Sequence, residues 1–352
     1  MGNVFAGFGA PARGLMVAAS IAILVAATQL AAPILAPMLL AIFIAIILTP
    51  LLRWMGRYRV PKWISLPIIL FLLMDLGSIL LLMTTGALEG LRDNLPGYQE
   101  RFLLLGSEMG AWLEEMGIEG SRAALPDIFD PAEAMRGVRF LLSNVGNLAA
   151  TGVLVLMAVI FLLLETATLP VKLKMAFDIT PEGEARLGGL LSSINRYMII
   201  KSLTSLATAT LVGLWLWLLG LDFIVVWVVL AFLLNFVPFV GSIFMAIPTL
   251  LFALVNHDIG TVLWVAIAYL AVNILIGNIL EPRIMGRGLG ISTFVVFLSL
   301  LFWGWVLGTV GVFLSVPLTM ALMTALDASP QTRPIAILMG PPVQATSDAT
   351  SA

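Results

Sequence analysis

The chain has 352 residues and a net charge of −2, with 61% of its residues apolar and 11% charged. Ordinary soluble domains are about 25% charged, and a chain of this size has too little interior to hide so much apolar surface, so the composition describes a protein that lipid solvates. Zero cysteines exclude disulfides, thiolate metal sites and a cysteine nucleophile, and no basic cluster exceeds four residues, which argues against nucleic acid as a partner.

Apolar runs fall at 14–30, 33–52, 64–88, 148–169, 203–220, 223–255, 260–279 and 291–326. They predict an all-α, multi-pass helical membrane protein with about eight hydrophobic segments. The expected organisation is three transmembrane helices within 1–90, an extracytoplasmic amphipathic segment over 91–147, a transmembrane transport core over 148–327, and a disordered cytoplasmic tail over 328–352. The first run, with Arg13 ahead of it, has the look of a signal peptide. A second full-length span follows almost at once, so the first helix is expected to be retained.

Between the second and third spans, Arg53, Arg57, Arg59 and Lys62 occur with no acid among them. The positive-inside rule puts that loop in the cytoplasm, and with it the N-terminus. Residues 91–147 then lie outside, and they carry five basic against nine acidic residues. Lys172, Lys174, Arg186 and Arg196 return the chain to the cytoplasm.

Within the outer segment, Tyr98, Phe102, Leu105, Met109, Trp112 and Met116 recur at helical spacing. Further on, Asp130 and Pro131 have the form of an N-cap and first helical residue, ahead of a stripe at Met135, Val138, Leu142 and Val145. A helical pair packed on the membrane face is the simple expectation, with gating or subunit contact as the alternative. On the cytoplasmic side, Thr180 and Pro181 open a helix with Leu187, Leu190, Ile194 and Met198 on one face.

The sixth run does not cross as one helix. Phe223 to Leu234 is apolar for about 18 Å of helix, short of a hydrocarbon core of about 30 Å, and then meets Asn235, Pro238 and Gly241. Backbone that leaves the helix at membrane depth is tolerated only where protein or a watery cavity shields it, and paired broken helices point to a transporter's binding site. At an offset of seventy residues, Gly220 aligns with Gly290, Phe232 with Phe302 and Val240-Gly241 with Val310-Gly311, and the last run also has a weak centre at Gly304 and Gly308. Two readings stand. Either both runs are re-entrant hairpins entering from opposite sides, as an inverted repeat would have it, or each is one long, tilted helix.

The blocks NRYMIIKSLTSLATATLVG (195–213), NFVPFVGSIFMAIP (235–248), GNILEPRIMGRGLGIS (277–292) and FWGWVLGTVGVFLSVPLTMAL (302–322) resemble those of the autoinducer-2 exporter family, also described as a PurR-regulated type of permease. The resemblance covers about 190–327 closely and the first 190 residues mainly in layout. It implies a homo-oligomeric permease of a bacterial inner membrane, moving a small solute or ion. Export of a signalling molecule, or sodium/proton exchange, is ascribed to particular members.

Polar groups inside apolar segments are the mechanistic candidates, since a charge facing lipid costs about 2.5–3.5 kcal/mol on insertion scales. Asp75, in the middle of the third span, is a candidate proton carrier, with a hydrogen bond to the backbone of Gly77 or Ser78 as its structural alternative. Glu165 ends the fourth span, and Arg196 and Lys201 precede the fifth, where snorkelling to the headgroups is the plain expectation. Asn235, Pro238 and Gly241 form the break. Asn278, Glu281 and Arg283 flank Pro282, a cluster read either as gating and coupling or as a structural turn in which the glutamate and arginine pair. Asp222 is expected to cap a helix and His257 to be solvated.

Enzyme readings find no footing. The chain has no Walker loop, no HExxH and no GxSxG, and GRGLG at 286–290 reads as a turn. No cofactor or metal is expected. The functional expectation is secondary export of a small polar solute through a path lined by the broken segments and the third span. A cation/proton antiporter using Asp75 or the Glu281 cluster is the alternative, and a non-transporting membrane scaffold the third.

Overall fold

Among the described residues the apolar runs fold into helices and into nothing else. The computed structural model describes residues 10–93, 95–117, 151–165, 168–177, 180–238, 241–285 and 290–341. The stripe expected over 130–145 falls outside them, as do all the side chains of the 98–116 stripe except that of Met116.

The elements are α1 (Ala10–Leu30), α2 (Ala32–Arg57), α3 (Lys62–Asp93), α4 (Leu95–Glu115), α5 (Thr151–Glu165), α6 (Leu169–Phe177) and α7 (Pro181–Leu218). Then come α8 (Ile224–Leu234), α9 (Gly241–Asn256) and α10 (Ile259–Val272), which runs through a π-helical stretch, Asn273–Leu280, into α11 (Glu281–Met285). Last are α12 (Thr293–Asp327) and α13 (Arg333–Met339). Four helical stretches, Ala32–Arg57, Pro181–Leu218, Ile259–Met285 and Thr293–Asp327, are long and apolar enough to cross a membrane. Leucine, isoleucine and phenylalanine side chains stand exposed along most of them, as lipid-facing surfaces require.

α7 begins as its sequence dictates. The Thr180 hydroxyl accepts the Gly183 N–H at 3.2 Å, Pro181 sits at the first helical position, and Glu182 and Glu184 occupy the positive end of the helix dipole. At 38 residues α7 is about 57 Å long, so its early turns extend beyond any hydrocarbon core. The expected cytoplasmic helix and fifth span are therefore one continuous rod.

The chain divides into two compact units. One comprises 1–50, 161–197 and 287–352, and the other 51–160 and 198–286. In the second unit, α9 packs between α8 and α10, α3 lies against α8, and α4 against α9. Their core gathers Val212 and Leu216 of α7, Trp227 and Ala231 of α8, Met245 and Phe252 of α9, and Val265 and Tyr269 of α10. In the first unit, α1 and α13 both pack on α12, and Ala36, Val306 and Leu307 form a small core with Val25, Leu35 and Val310.

Both broken runs are hairpins. Trp227, near the start of α8, has its ring 5.4 Å from that of Phe252, near the end of α9; a straight helix would hold residues so far apart in sequence about 37 Å from each other. The turn closes with N–H groups of Phe236 and Val237 donating to the carbonyls of Leu233 and Leu234, and Pro238, having no N–H, stops further helix. In α12 the break is at Gly308, with φ 66° and ψ −149°, a backbone conformation open essentially only to glycine. Across it, the Trp303 indole N–H donates to the Thr319 hydroxyl at 3.1 Å. One straight helix would separate that pair by about 24 Å, so 293–307 and 309–327 fold back on each other.

The turns of the two hairpins share a close backbone approach. A Cβ built on Gly241 would lie 1.9 Å from the Leu234 carbonyl oxygen, and one on Gly311 would lie 1.9 Å from that of Trp303. The glycines matched at an offset of seventy thus do the same job in each hairpin.

Three expectations require correction. Asp222 does not cap α8 with its carboxylate: Phe223 is the N-cap, in the left-handed region at φ 57°, and Asp222 contributes its carbonyl oxygen, which accepts the Trp227 indole N–H at 3.0 Å. His257 is not free in water, because its Nε2 is buried without a hydrogen-bond partner among the described residues; the connection between α9 and α10 is too short to lift the ring away. The cap there is Asp258, whose carboxylate accepts the Thr261 hydroxyl at 2.8 Å and its N–H at 3.2 Å. Those bonds, the hydroxyl's first, hold the Asp258 carboxyl below its ordinary range. Finally, the stretch expected as a disordered tail begins with order. α13 buries Ala336 and returns the Met339 carbonyl to the Ser292 N–H at 2.9 Å, while residues from 342 onward lie outside the described ones.

Candidate functional site

The buried face of α7 changes character along its length. Ile194, Tyr197, Met198 and Ile200 are buried, and further on so are Ala209, Val212 and Leu216. Between these two stretches the buried side chains are polar: Lys201 at 5% exposure, Thr204 at 2%, Ser205 at 0% and Thr208 at 2%. Their spacing, i, i+3, i+4 and i+7, puts all four on one helix face over about 10 Å of rise. Burying polar groups without partners is costly, so each needs a reason to be there.

Two of the four are tied to elements distant in sequence. The Ser205 hydroxyl accepts from the amide Nδ2 of Asn235 at 3.0 Å, both residues being buried. Asn235 is the first residue of the hairpin turn, so this bond fixes the tip of α8–α9 against α7. One helical turn away, the Lys201 ammonium donates to both oxygens of Glu281, at 2.7 and 2.9 Å. The side chains of this pair are 6% and 16% exposed. Two charges removed from water are tolerable because they are matched at short range. A third buried polar contact, Thr249 to Tyr269 at 2.8 Å, joins α9 to α10 beside this face.

The position of Glu281 depends on an unusual backbone. Residues Asn273–Leu280 form a π-helix, and the Glu281 N–H donates to the carbonyl of Ile276, five residues back. π-Helical bonding is rare and tends to mark functional places. Here it delivers a carboxylate to a buried lysine.

The other residues nominated by sequence lie elsewhere. Asp75 is exposed on α3, with no hydrogen bond or ion pair among the described residues, so neither Gly77 nor Ser78 holds it. Glu165 ends α5 in a short ion pair with Lys172, an exposed arrangement of the interface kind. Arg196 is exposed on α7, as are Asn278 on the π-helix and Arg283 on α11. Pro238 and Gly241 belong to the hairpin turn and shape it without presenting chemistry. Arg283 is not the partner of Glu281, and Lys201 does not snorkel. The lysine is turned into the protein because a carboxylate waits there.

Thr204, Ser205 and Thr208 escape an inspection that lists only charges and helix breakers. Their signal was nevertheless present, as helical spacing of hydroxyls in KSLTSLAT within an apolar run. Away from this stripe, a cleft of about 470 Å³ lies between the start of α7 and the end of α12, lined by Thr180, Glu182, Arg186, Leu190 and Thr324. None of the nominated residues faces it.

Comparison with known proteins agrees with this architecture. The chain is 38% identical over 292 residues to the "AI-2 transport protein TqsA" of Escherichia coli K12, covering 83% of this chain and 85% of that protein. It is 37% identical over 334 residues to a "putative transport protein" of Haemophilus influenzae, covering 93% and 96%. A more distant relative, 26% identical over 309 residues (80% and 86%), is a "sodium-lithium/proton antiporter" of Halobacillus andaensis. The family described as AI-2E family transporter matches residues 15–331, a span that takes in the polar face of α7, the π-helix and both hairpins, and the chain is a multi-pass membrane transporter of that family.

Proposed function

We propose that the protein is a secondary permease exporting a small polar solute, a signalling molecule such as autoinducer-2 among the candidates, along the buried polar face of α7 beside the tip of the first hairpin. The observation that carries this reading is the stripe Lys201, Thr204, Ser205 and Thr208 meeting Asn235 at a helix break. In a lipid-solvated protein polar side chains are costly unless partnered, and this stripe places hydroxyls beside the polar residue of a helix break. The ion pair neutralises itself, so the column as a whole favours a neutral, hydrogen-bonding solute over an ion. The solute is moved and not chemically changed. The name of the Escherichia coli relative supports autoinducer-2 as the first solute to test.

The arrangement in the cell belongs to the same proposal: a bacterial inner membrane, both termini cytoplasmic, 91–147 outside, the two hairpins entering from opposite faces, and a homo-oligomeric assembly. The basic loop Arg53 to Lys62 supports this orientation. Because the chain has no cysteine, single cysteines at Arg57 and Asp348 are expected to resist an impermeant thiol reagent applied to intact cells. Labelling of either from outside overturns the orientation.

A second reading, cation/proton antiport, has one observation in its favour: a carboxylate and an ammonium buried together on the path, in a chain with an antiporter among its relatives. Flux into proteoliposomes, with and without a proton or sodium gradient, separates the two. Export of a neutral solute is expected to proceed in both conditions. If flux instead depends on the gradient, Asp75→Asn and Glu281→Gln assign the carrier, since neither amide can titrate. Gradient dependence lost in either variant would favour antiport. Absence of any solute or ion flux would leave the scaffold reading.

A further inference from the structure

The polar face of α7 ends at the Lys201–Glu281 ion pair, and that pair depends on a π-helix. Exposure is 0% at Ser205 and 2% at Thr204 and Thr208, then rises to 16% for the Glu281 side chain. Within the stripe and its partners, exposure is therefore greatest at the Lys201–Glu281 pair. Arg283, two residues after Glu281 on α11, is exposed.

Glu281 reaches Lys201 only because the preceding eight residues are π-helical. Each turn of that stretch holds an extra residue relative to α-helix, and the bond from the Glu281 N–H to the Ile276 carbonyl is one of those longer loops. Returning one turn to α-helical bonding rotates everything after it by about 100°, the angle of one residue. A rotation of that size takes the Glu281 carboxylate off Lys201 without unfolding either helix. Gly277 lies within the stretch, and a Cβ there would meet the Asn273 side-chain oxygen at 3.1 Å.

We infer that the Lys201–Glu281 pair is the cytoplasmic gate of the polar column, and that the π-helix Asn273–Leu280 is its hinge. The inference rests on the path and orientation proposed above. Lys201 and Glu281 are then positioning residues: they control access of the solute to Thr204, Ser205 and Thr208 and need not bind it. The closed gate explains why these hydroxyls are buried in the state described, and the opposite charges explain why the gate recloses to a single geometry.

The test reads access in place of flux. Thr208→Cys introduces a reporter into the cysteine-free chain, about two turns inside the gate, and a charged, impermeant methanethiosulfonate is applied to inside-out or right-side-out vesicles. In the parent background the reporter is expected to label slowly from either face. Glu281→Gln is expected to raise the rate from the cytoplasmic face about tenfold, as removal of one closing charge shifts the population toward the open state. The exchanged pair Lys201→Glu with Glu281→Lys is expected to bring the rate back down. A second reporter, Glu182→Cys on the exposed start of α7, labels equally in every background if fold and sidedness are intact. Should Glu281→Gln not accumulate, the double variant Lys201→Met with Glu281→Met removes both charges without leaving one buried alone, and faster labelling is again expected. Equal labelling of Thr208→Cys in all backgrounds overturns the gate, as does an increase seen only from the outer face. Unchanged labelling with intact solute flux removes the gate alone; altered labelling without flux of any solute removes the proposed function and leaves the gate.

Discussion

Replacing either Gly241 or Gly311 with alanine is expected to abolish transport and to destabilise the protein more than the same change at any other glycine among the described residues. In both turns the added carbon would lie 1.9 Å from a backbone carbonyl oxygen, that of Leu234 or of Trp303. No rotamer can relieve such a contact, because the obstacle is main chain. The turn must open instead, and overpacking of this kind costs on the order of 1–3 kcal/mol or more. For Gly241 the displaced element is the hairpin tip, which carries Asn235 and its bond to Ser205, so loss of flux and loss of stability are expected together. Pro238→Ala makes the contrast. It restores an N–H and a good helix former without adding a clash, so its flux should fall with stability unchanged or raised. Flux assays in proteoliposomes beside thermal unfolding in detergent check all three. Wild-type flux in Gly241→Ala would mean that the hairpin tip is not on the path.

Both glycines were visible in the sequence as a pair seventy residues apart, and the reason the pairing was legible is that the demand on each is local. A turn that brings two backbones into contact tolerates no side chain, whatever surrounds it. Whether each run was a hairpin or one long helix was not legible. Proline, glycine and asparagine weaken a helix equally in a kink and in a reversal, and the decision lies in contacts such as Trp227 on Phe252 and Trp303 on Thr319. Those depend on which surfaces can pack, which no local pattern reports. Most apolar runs match helices to within about half a dozen residues, because apolar length is what a bilayer reads, but the helix of the fifth run starts far earlier, at Pro181.

The site was legible in its members and illegible in its pairings. Glu281, Lys201 and Asn235 were nominated because polar groups are expensive in apolar runs. Snorkelling was the natural expectation for a lysine near a span's end, since that outcome needs no partner. The partner lies eighty residues away and arrives through a π-helix, and nothing in NILIGNIL distinguishes π from α bonding before it forms. Asp222 was misread for a related reason. Acidic residues before helices usually cap them, but here the indole of Trp227 takes the Asp222 carbonyl while Phe223 adopts the left-handed turn. The short C-terminal helix lies in a stretch expected to be disordered, and its Pro334 stands in the first turn, where proline is at home.

The buried pair also sets the second large expectation, in a double-mutant cycle. Lys201→Met alone leaves the Glu281 carboxylate poorly solvated, and Glu281→Gln alone leaves the buried Lys201, a residue 5% exposed, without its counter-ion. Removing one member of a buried ion pair costs about 3–5 kcal/mol, while replacing both members by apolar residues of similar volume is often neutral or stabilising. The doubly substituted protein, Lys201→Met with Glu281→Met, is therefore expected to melt at or above the parent's temperature although each single change lowers it. Flux should not follow stability. With the pair gone, the polar column has nothing to close it on that side, so control of transport is lost in the most stable variant of the set. A double variant that is as unstable as the sum of the singles would mean that the charges serve the fold. A double variant that is stable and still transports with normal control would mean that they serve neither gate nor path.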